Sequence, residues 1–475
     1  MESRYSTVIS GARLIQSSVP DRDLEVEMLS DKARIITSSA FRRLQTKAQV
    51  FSLEKNAAVR TRLTHTLEVA MYGQLIARKV FDSLFKAEQI EDRLRLPFIV
   101  AVENACLLHD IGNPPFGHLG EFAIRDWFVK QEQAIKQVWR EANISEREIN
   151  TSYAGFEHFD GNPQGFRTVA RLQWLKNESG LNLTCTLLAS IVKYLGMTPD
   201  DTQIYRKKTG FFRSELGLVK EIWERLGLKV DEYGPAQRHP LTFLMEAADD
   251  IAYCVSDIED ALEKGVVNEE EFFHYLPSIT QRFVTQPRLD YSTNSVAHNA
   301  NFIHFRIELT RYLVDSAAEC YATHHQAILG GDYQGSLLEH DNTAKDSLAG
   351  LKAFAKERIF VSREAVDIEL GGFRIIQTLL DGFSPLLLVP PARFERLLEG
   401  STAPLKYGEM ALERRLFSLL PKKHLLVYKY YTAQQPADEP IFRSHLVVDY
   451  ISGMTDSHAV KIFNMLTGMP EGGRR

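Results

Sequence analysis

The part of the sequence that most constrains the fold is an apolar run ending in a glycine- and proline-rich turn. Residues 98–108 are apolar on nearly all sides, which predicts a helix buried in the core. The glycine and two prolines within 112–115 do not extend a helix, so it is predicted to end just after His109 and Asp110. Burying such an ionisable pair without partners is unfavourable. A divalent cation would compensate the pair, and so would hydrogen bonds at the helix end.

Two distant motifs offer further metal-ligating side chains. His65 opens an amphipathic segment whose apolar stripe includes Leu67, Ala70, Met71 and Leu75. Residues 245–253 place two acids, Asp249 and Asp250, inside an alanine-rich helical stretch. Asp249 is the preferred ligand and Asp250 the alternative. The predicted ligand set, two nitrogens and two carboxylates that suit Mn²⁺, Mg²⁺, Co²⁺, Fe²⁺ or Zn²⁺, is His65, His109, Asp110 and Asp249.

Four motifs together resemble one known family. The order His, His-Asp, Asp resembles the HD-domain metal phosphohydrolases, and within them the deoxynucleoside triphosphate triphosphohydrolases of the bacterial deoxyguanosine triphosphatase group. The matching segments are residues 60–65, 109–121, 246–251 and 449–456. The resemblance implies an all-α fold with an HD-type helical core and further C-terminal helices. The apolar runs at residues 386–389 and 425–428 are candidates for short strands.

The predicted domain organisation has three parts. Residues 1–30 are expected to form an N-terminal arm, since they are serine-rich and weakly patterned at their start. Residues 31–265 form the catalytic core, with a polar insertion at about 196–240. Residues 266–475 form a helical region that completes the active site and makes oligomer contacts.

The resemblance implies hydrolysis of dGTP to deoxyguanosine and tripolyphosphate by water attack at the α-phosphate. The departing 5′-oxygen is strongly basic and needs a general acid. We predict that His118 is this acid. Glu121 lies one helical turn later, where its carboxylate can orient the imidazole and raise its pKa.

Substrate-binding residues are predicted partly from residue chemistry and partly from the resemblance. On the helix that carries Asp249, Tyr253 and Asp257 follow at steps of four residues and share its face. The resemblance implies that Asp257 binds the ribose 3′-hydroxyl, with Tyr253 near the sugar, and that Gln49 lines the nucleoside pocket. The predicted contacts to the phosphates are Arg62, His158, Lys193, Lys207, Lys208 and Arg306. For His158, an ordinary loop residue is the alternative, and for the Lys207–Lys208 cluster and Arg306 it is an ordinary surface position.

Composition restricts the class of protein. The chain of 475 residues is 44% hydrophobic and 25% charged, as in ordinary globular proteins. No apolar run is long enough to span a bilayer, and no export signal is seen, so a cytoplasmic location without membrane contact is expected. The four scattered cysteines are typical of buried free thiols in a reducing compartment. A net charge of −6 argues against general coating of nucleic acid.

Several alternatives remain open at this stage. The chain could hydrolyse deoxynucleoside triphosphates broadly, since base selection depends on pocket shape. It could be another HD phosphohydrolase, or a catalytically silent nucleotide-binding regulator. The resemblance implies a homo-oligomer, commonly a hexamer, and single-stranded nucleic acid is a candidate effector.

Overall fold

Three apolar helices form the centre of the molecule and carry the histidines and acids of the sequence motifs. Thr61 caps the first of them, Arg62–Lys86, through a reciprocal pair of bonds with Thr64. The second, Arg95–Leu108, is buried along nearly its whole length and ends at Leu108, two residues before the predicted end at Asp110. The third, Pro240–Glu263, starts with a proline in its first turn, where the missing N–H is not needed.

The computed structural model describes residues 4–19, 22–174, 178–200, 202–284, 300–399 and 410–469. Helices dominate it, and the prediction of an all-α fold is confirmed. The helices are α1 (Tyr5–Val8), α2 (Leu24–Thr37), α3 (Ser39–Arg43), α4 (Arg62–Lys86), α5 (Arg95–Leu108), α6 (Gly117–Glu141), α7 (Glu146–Glu157), α8 (Gly161–Arg167), α9 (Cys185–Ser190), α10 (Leu216–Arg225), α11 (Pro240–Glu263), α12 (Glu269–Tyr275), α13 (Pro277–Phe283), α14 (Ala300–Gly330), α15 (Asn342–Phe354), α16 (Arg363–Leu388), α17 (Pro391–Glu399), α18 (Ala411–Leu419), α19 (Lys422–Gln434), α20 (Glu439–Ser452) and α21 (Asp456–Thr467). Strands β1 (Val230–Asp231) and β2 (Gly234–Pro235) pair as an antiparallel hairpin.

The described residues pack around two hydrophobic cores. The first is built from helices at the N-terminal end of the chain, α11, and the later helices α14 and α15. The second combines α6 and α7 with helices α16 to α21. Each core therefore draws on segments from both sides of residue 265, where the sequence predicts a domain boundary.

The predicted short strands are wrong. Residues 386–388 are the last residues of α16, and residues 425–428 lie inside α19. Both runs are apolar because one face of each helix packs into the second core, where Leu387 and Val427 are buried. Over so few residues, a continuous apolar run does not distinguish a buried strand from part of a buried helix.

Two other segments differ from their predicted form. The first described residues pack against the first core rather than extending as an arm, and the Tyr5 side chain is fully buried. Helix α10 and the β1–β2 hairpin give the predicted insertion at 196–240 regular structure of its own.

Of the four residues in the apolar stripe predicted on α4, Ala70 is buried and the other three do not face the core. Leu67, Met71 and Leu75 are exposed, and the opposite face, with Val69 and Ile76, is buried.

Among the described residues, no single helix is long and apolar enough to cross a bilayer. The pair α16–α17 reaches that length and hydropathy only together, across a bend of 101°.

Candidate active site

Three helices bring two imidazoles and a carboxylate to one point. His65 lies on the first turn of α4, His109 directly follows α5, and Asp249 lies midway along α11. One ligand atom from each of the three lies within 4.8 Å of the other two. The Nε2 atoms of His65 and His109 are 3.7 and 3.6 Å from Asp249 Oδ1. Residues separated by up to 184 positions in the chain thus converge, as the sequence predicts.

Hydrogen bonding leaves both histidines able to bind a cation. His109 Nδ1 donates to the carbonyl of Cys106 at 2.7 Å, so its Nε2 atom keeps a free lone pair. This Nε2 atom is buried without a hydrogen-bond partner, and Nε2 of His65 lies 3.7 Å from Asp249 Oδ1. Buried nitrogen atoms without partners are unfavourable unless something else binds them. The donor set of two imidazoles and nearby carboxylates therefore fits a divalent metal ion.

The charges around this group hold its carboxylates ionised. Burial would raise the pKa of Asp249, but Lys193, 3.2 Å away, and both histidines hold that pKa well below its ordinary value. Burial would lower the pKa of His65, but the carboxylates around it, Asp249 first, raise it. An ionised carboxylate is the form that binds a metal ion.

Asp110 lies beside the group, with both oxygens already bonded. Its Oδ2 atom accepts a hydrogen bond from Arg62, and its Oδ1 atom accepts one from Asn113 Nδ2 at 2.6 Å. Burial opposes ionisation, but Arg62 and the two histidines lower the pKa of Asp110 to about 2. The Oδ2 atom is 3.6 Å from His109 Nε2, so this predicted ligand lies beside the group of His65, His109 and Asp249 but is not one of its three members.

His118 and Glu121 form a hydrogen-bonded pair at the start of α6. His118 Nδ1 is 3.0 Å from Glu121 Oε2, and this bond is the main cause of the raised pKa of His118. The Glu121 carboxylate is buried and also accepts the N–H of Gly161 at 2.8 Å. The His118 side chain is 79% exposed and lines the same cavity as the metal-ligating group. One nitrogen of the imidazole is thereby fixed, and the other is left for a substrate.

The turn before α6 is shaped by close packing against α8. A Cβ atom on Gly112 would lie 2.0 Å from the N atom of Gly165 and 2.1 Å from the carbonyl oxygen of Gly161. Phe116 adopts a left-handed backbone with φ of 63°. Only a chain without a side chain at residue 112 can lie this close to the start of α8.

One face of α11 presents the predicted nucleoside contacts to the cavity. Asp249, Tyr253 and Asp257 all line it, and Gln49 lines it as well. The Oδ2 atom of Asp257 and the Oε1 atom of Gln49 are buried without hydrogen-bond partners. Burial raises the pKa of Asp257 to about 7. The structure thus brings three of the predicted substrate contacts, Gln49, Tyr253 and Asp257, to the same cavity as the metal-ligating group.

Cationic side chains surround the cavity, each paired with an acid. Lys208 Nζ is 3.4 Å from Asp160, and Lys352 Nζ is 3.0 Å from Asp250. Arg62 pairs with Asp110 and Lys193 pairs with Asp249 in the same way. The four cations come from separate segments of the chain. Such ammonium and guanidinium groups are well suited to bind phosphate oxygens.

Three predicted phosphate contacts do not line the cavity. His158 ends α7 with an exposed side chain, because α7 packs its apolar face into the second core. Lys207 is exposed next to Lys208 in the chain but does not line the cavity. Arg306 of α14 is paired with Glu259 at 2.6 Å on the outer side of α11. These three positions carry no support for a substrate contact.

The cavity also contains side chains that sequence reasoning missed. Asp160 and Asn162 line it in place of His158, from the same short motif. Lys352 reaches it from α15, and Ile368 and Glu369 from α16. The turn-forming sequence Asp-Gly-Asn at residues 160–162 could have indicated Asp160 and Asn162. A lysine in an ordinary amphipathic helix carries no comparable signal.

Comparison with known proteins agrees with this geometry. Residues 62–191 match the HD domain family, a segment that contains His65, His109, Asp110 and the His118–Glu121 pair. A relative in Pseudomonas aeruginosa, described as a probable deoxyguanosinetriphosphate triphosphohydrolase, is 36% identical over 485 aligned positions, which cover 94% of each chain. The chain belongs to the dGTPase-type HD-domain proteins. The predicted resemblance is confirmed. In this HD-domain protein, Asp249 and Lys352 lie beyond the segment that matches the domain family.

Proposed function

We propose that this protein hydrolyses dGTP to deoxyguanosine and tripolyphosphate with the help of a divalent metal ion, Mn²⁺ or Mg²⁺. The observation that carries the proposal is the convergence of His65, His109 and Asp249 beside the His118–Glu121 pair in one cavity. Similarity to the probable deoxyguanosinetriphosphate triphosphohydrolase of Pseudomonas aeruginosa supports the choice of substrate.

The metal ion would be held by His65, His109, Asp249 and the adjacent Asp110. When bound, such an ion polarises a phosphate oxygen and offsets the negative charge that develops during attack by water. Lys193 and Arg62, which contact two of these carboxylates, supply positive charge on the same side of the cavity.

The triphosphate would be bound by the cations that line the cavity. Arg62, Lys193 and Lys208 were predicted for this role, and Lys352 joins them because its Nζ atom lies in the same cavity. A tetraanionic substrate needs several such charges, since each isolated pair in water contributes little. Arg306 has no part in this binding, because it does not line the cavity.

His118 would protonate the departing 5′-oxygen. Glu121 accepts the Nδ1 proton, so the proton for the leaving group is carried by Nε2. The raised pKa of His118 keeps a larger share of the imidazole protonated at neutral pH, which is the form that a general acid needs.

The nucleoside would be bound between α11 and the segment that carries Gln49. The buried carboxylate of Asp257 is placed to accept or donate a hydrogen bond to the ribose 3′-hydroxyl, with Tyr253 beside the sugar. The amide of Gln49 offers both a donor and an acceptor to a base or sugar edge. The buried, unpaired oxygens of Asp257 and Gln49 support this assignment.

Product analysis tests the proposal directly. Purified protein is incubated with Mn²⁺ and dGTP, and the phosphate-containing products are separated by ion-exchange chromatography. We expect deoxyguanosine and tripolyphosphate in equal amounts. Release of pyrophosphate or inorganic phosphate would indicate another phosphohydrolase reaction, and an unchanged substrate would overturn the enzymatic assignment. Parallel reactions with dATP, dCTP and dTTP measure how strongly guanine is preferred.

A further inference from the structure

The C-terminal motif, residues 449–456, has no role in the proposed chemistry. Among the described residues that line the cavity, none comes from this motif. Its acids are nevertheless buried, with Asp449 and Asp456 only 3% and 2% exposed. Asp449 is bonded to Arg167 and Gln164, at 2.9 Å from each. Asp456 differs, because both of its partners are backbone groups next to the cavity.

The carboxylate of Asp456 joins two segments that are distant in the chain. Its Oδ1 atom accepts the N–H of Phe116 at 3.2 Å, and its Oδ2 atom accepts the N–H of Ala48 at 3.1 Å. Phe116 is the left-handed residue that starts α6, two residues before His118. Ala48 directly precedes Gln49. One side chain therefore fixes the backbone on which the predicted acid and a predicted nucleoside contact are carried.

The neighbouring Lys47 strengthens the same junction. Its buried Nζ atom donates to the carbonyl of Ser452 at 2.9 Å and to the carbonyl of Asn113. Helix α16 supports the junction from another side, because Gly372 leaves room for the Phe116 ring, which a Cβ atom there would meet at 2.5 Å. The turn before His118 is thus held to the C-terminal motif directly by the Asp456–Phe116 bond and indirectly through Lys47, and it also packs against α16.

We propose that Asp456 is a positioning residue, which sets the place of His118 relative to the nucleoside by tying the Gln49 segment to the turn before α6. The inference rests on the proposed function, since it assigns Asp456 a role through His118. Misplacing a catalytic group by about 1 Å lowers a rate by up to about 100-fold, so a contact of this kind can control turnover.

The chemistry of the junction requires a carboxylate. Two backbone N–H groups need two acceptor oxygens, and asparagine offers only one, with an amide N–H in place of the other. Asp456→Asn therefore loses one of the two bonds, because the amide N–H donor of the asparagine then lies opposite a backbone N–H donor. The change adds no volume, so the surrounding packing is kept.

The test is a double-mutant cycle on dGTP hydrolysis between Asp456→Asn and His118→Ala. Asp341→Asn is the matched control. Asp341 also accepts a backbone N–H, from Thr343 at 2.8 Å, and a side-chain hydrogen bond from Tyr312. Unlike Phe116, a partner of Asp456, Asp341 and these two residues do not line the cavity. We expect Asp456→Asn to lower kcat by about 10-fold or more. In the His118→Ala background, we expect it to lower kcat less than about 2-fold, because coupled residues are not additive. Mn²⁺ content and the thermal midpoint are measured on every variant.

Each outcome decides the inference. Equal kcat losses in Asp456→Asn and Asp341→Asn, or a full 10-fold loss in both backgrounds, would show that Asp456 acts through general stability and would overturn the inference with the proposed function intact. If the unaltered protein releases no tripolyphosphate from dGTP, both the proposed function and the inference about Asp456 are overturned. If Asp456→Asn does not fold, Asp456→Glu, which keeps two acceptors but displaces them by one methylene, is used in the same cycle and judged by the same coupling.

Discussion

At the scale of single residues, the central feature is an imidazole with one nitrogen fixed and the other free. Glu121 is buried and held by Gly161, so it has little freedom to move away from His118. Because Glu121 is negatively charged, it also favours the protonated imidazole. Orientation and protonation of the predicted acid thus depend on the same carboxylate.

Replacing His118 by alanine should remove the proton donor without affecting the metal-ligating group. We expect kcat for dGTP to fall by about 10² to 10⁴-fold, the usual contribution of a general acid. Metal content, measured by elemental analysis, should stay within error of the unaltered protein. His274→Ala, at an exposed position on α12, is the control and should leave kcat unchanged. Wild-type turnover by His118→Ala would exclude His118 as the acid.

Replacing Glu121 by glutamine should change the pH dependence of the reaction. The acid must be protonated, so kcat falls as the pH rises through the pKa of His118. Glu121 raises that pKa, and its loss should therefore move the alkaline limb of the kcat profile to lower pH. The measurement is kcat between pH 5 and pH 10 at saturating Mn²⁺. An alkaline limb at the same pH in both proteins would mean that Glu121 does not set it.

At the scale of elements, the position of His118 depends on how the turn after α5 packs against α8. The turn approaches α8 so closely that backbone atoms occupy the space a side chain at residue 112 would need. The two elements therefore behave as one rigid unit, with Glu121 bonded across it to Gly161.

Replacing Gly112 by alanine should destabilise this unit. The added methyl would lie about 2 Å from backbone atoms of Gly161 and Gly165, which no side-chain rotation relieves. We expect the free energy of unfolding to fall by at least about 1–3 kcal/mol, measured by urea denaturation, with kcat reduced as well. The control is Gly371→Ala on α16, where a Cβ meets nothing within 4 Å. That change should stabilise the protein by about 0.5–1 kcal/mol.

At the scale of the whole molecule, the cavity lies where the two cores meet. The metal-ligating side chains come from helices of the first core, α4, α5 and α11. His118 and Glu121 come from α6, which packs into the second core together with α16. The relative position of the two cores therefore decides the distance between the predicted metal and the predicted acid.

A bound metal ion should stabilise the folded protein, because the unfolded chain does not bring its ligands together. At a free Mn²⁺ concentration 100 times the Kd, mass action adds about 2.7 kcal/mol to the free energy of unfolding. We expect Mn²⁺ to raise the thermal midpoint of the unaltered protein. Asp249→Asn should abolish the shift, and Asp250→Asn, at the neighbouring acid that pairs with Lys352, should keep it. The reverse result would make Asp250 the ligand.

The amino-acid sequence by itself determined the helical class, the family and many of the polar side chains in the cavity. The apolar pattern of residues 98–108 and the Gly/Pro turn after it predict a buried helix that ends close to His109 and Asp110, whatever packs around it. The spacing of Asp249, Tyr253 and Asp257 likewise requires a shared helix face. These features depend on neighbours within a few turns of the chain, and local chemistry is sufficient to specify them.

Only the tertiary structure decided which distant side chains enter the cavity. Lys352 lies in it and Arg306 does not, although both are basic residues on amphipathic helices. Asp456 links Ala48 to Phe116 across more than 300 residues of sequence. Contacts of this kind depend on how whole helices pack against one another, and no local pattern of residues records the outcome of that packing.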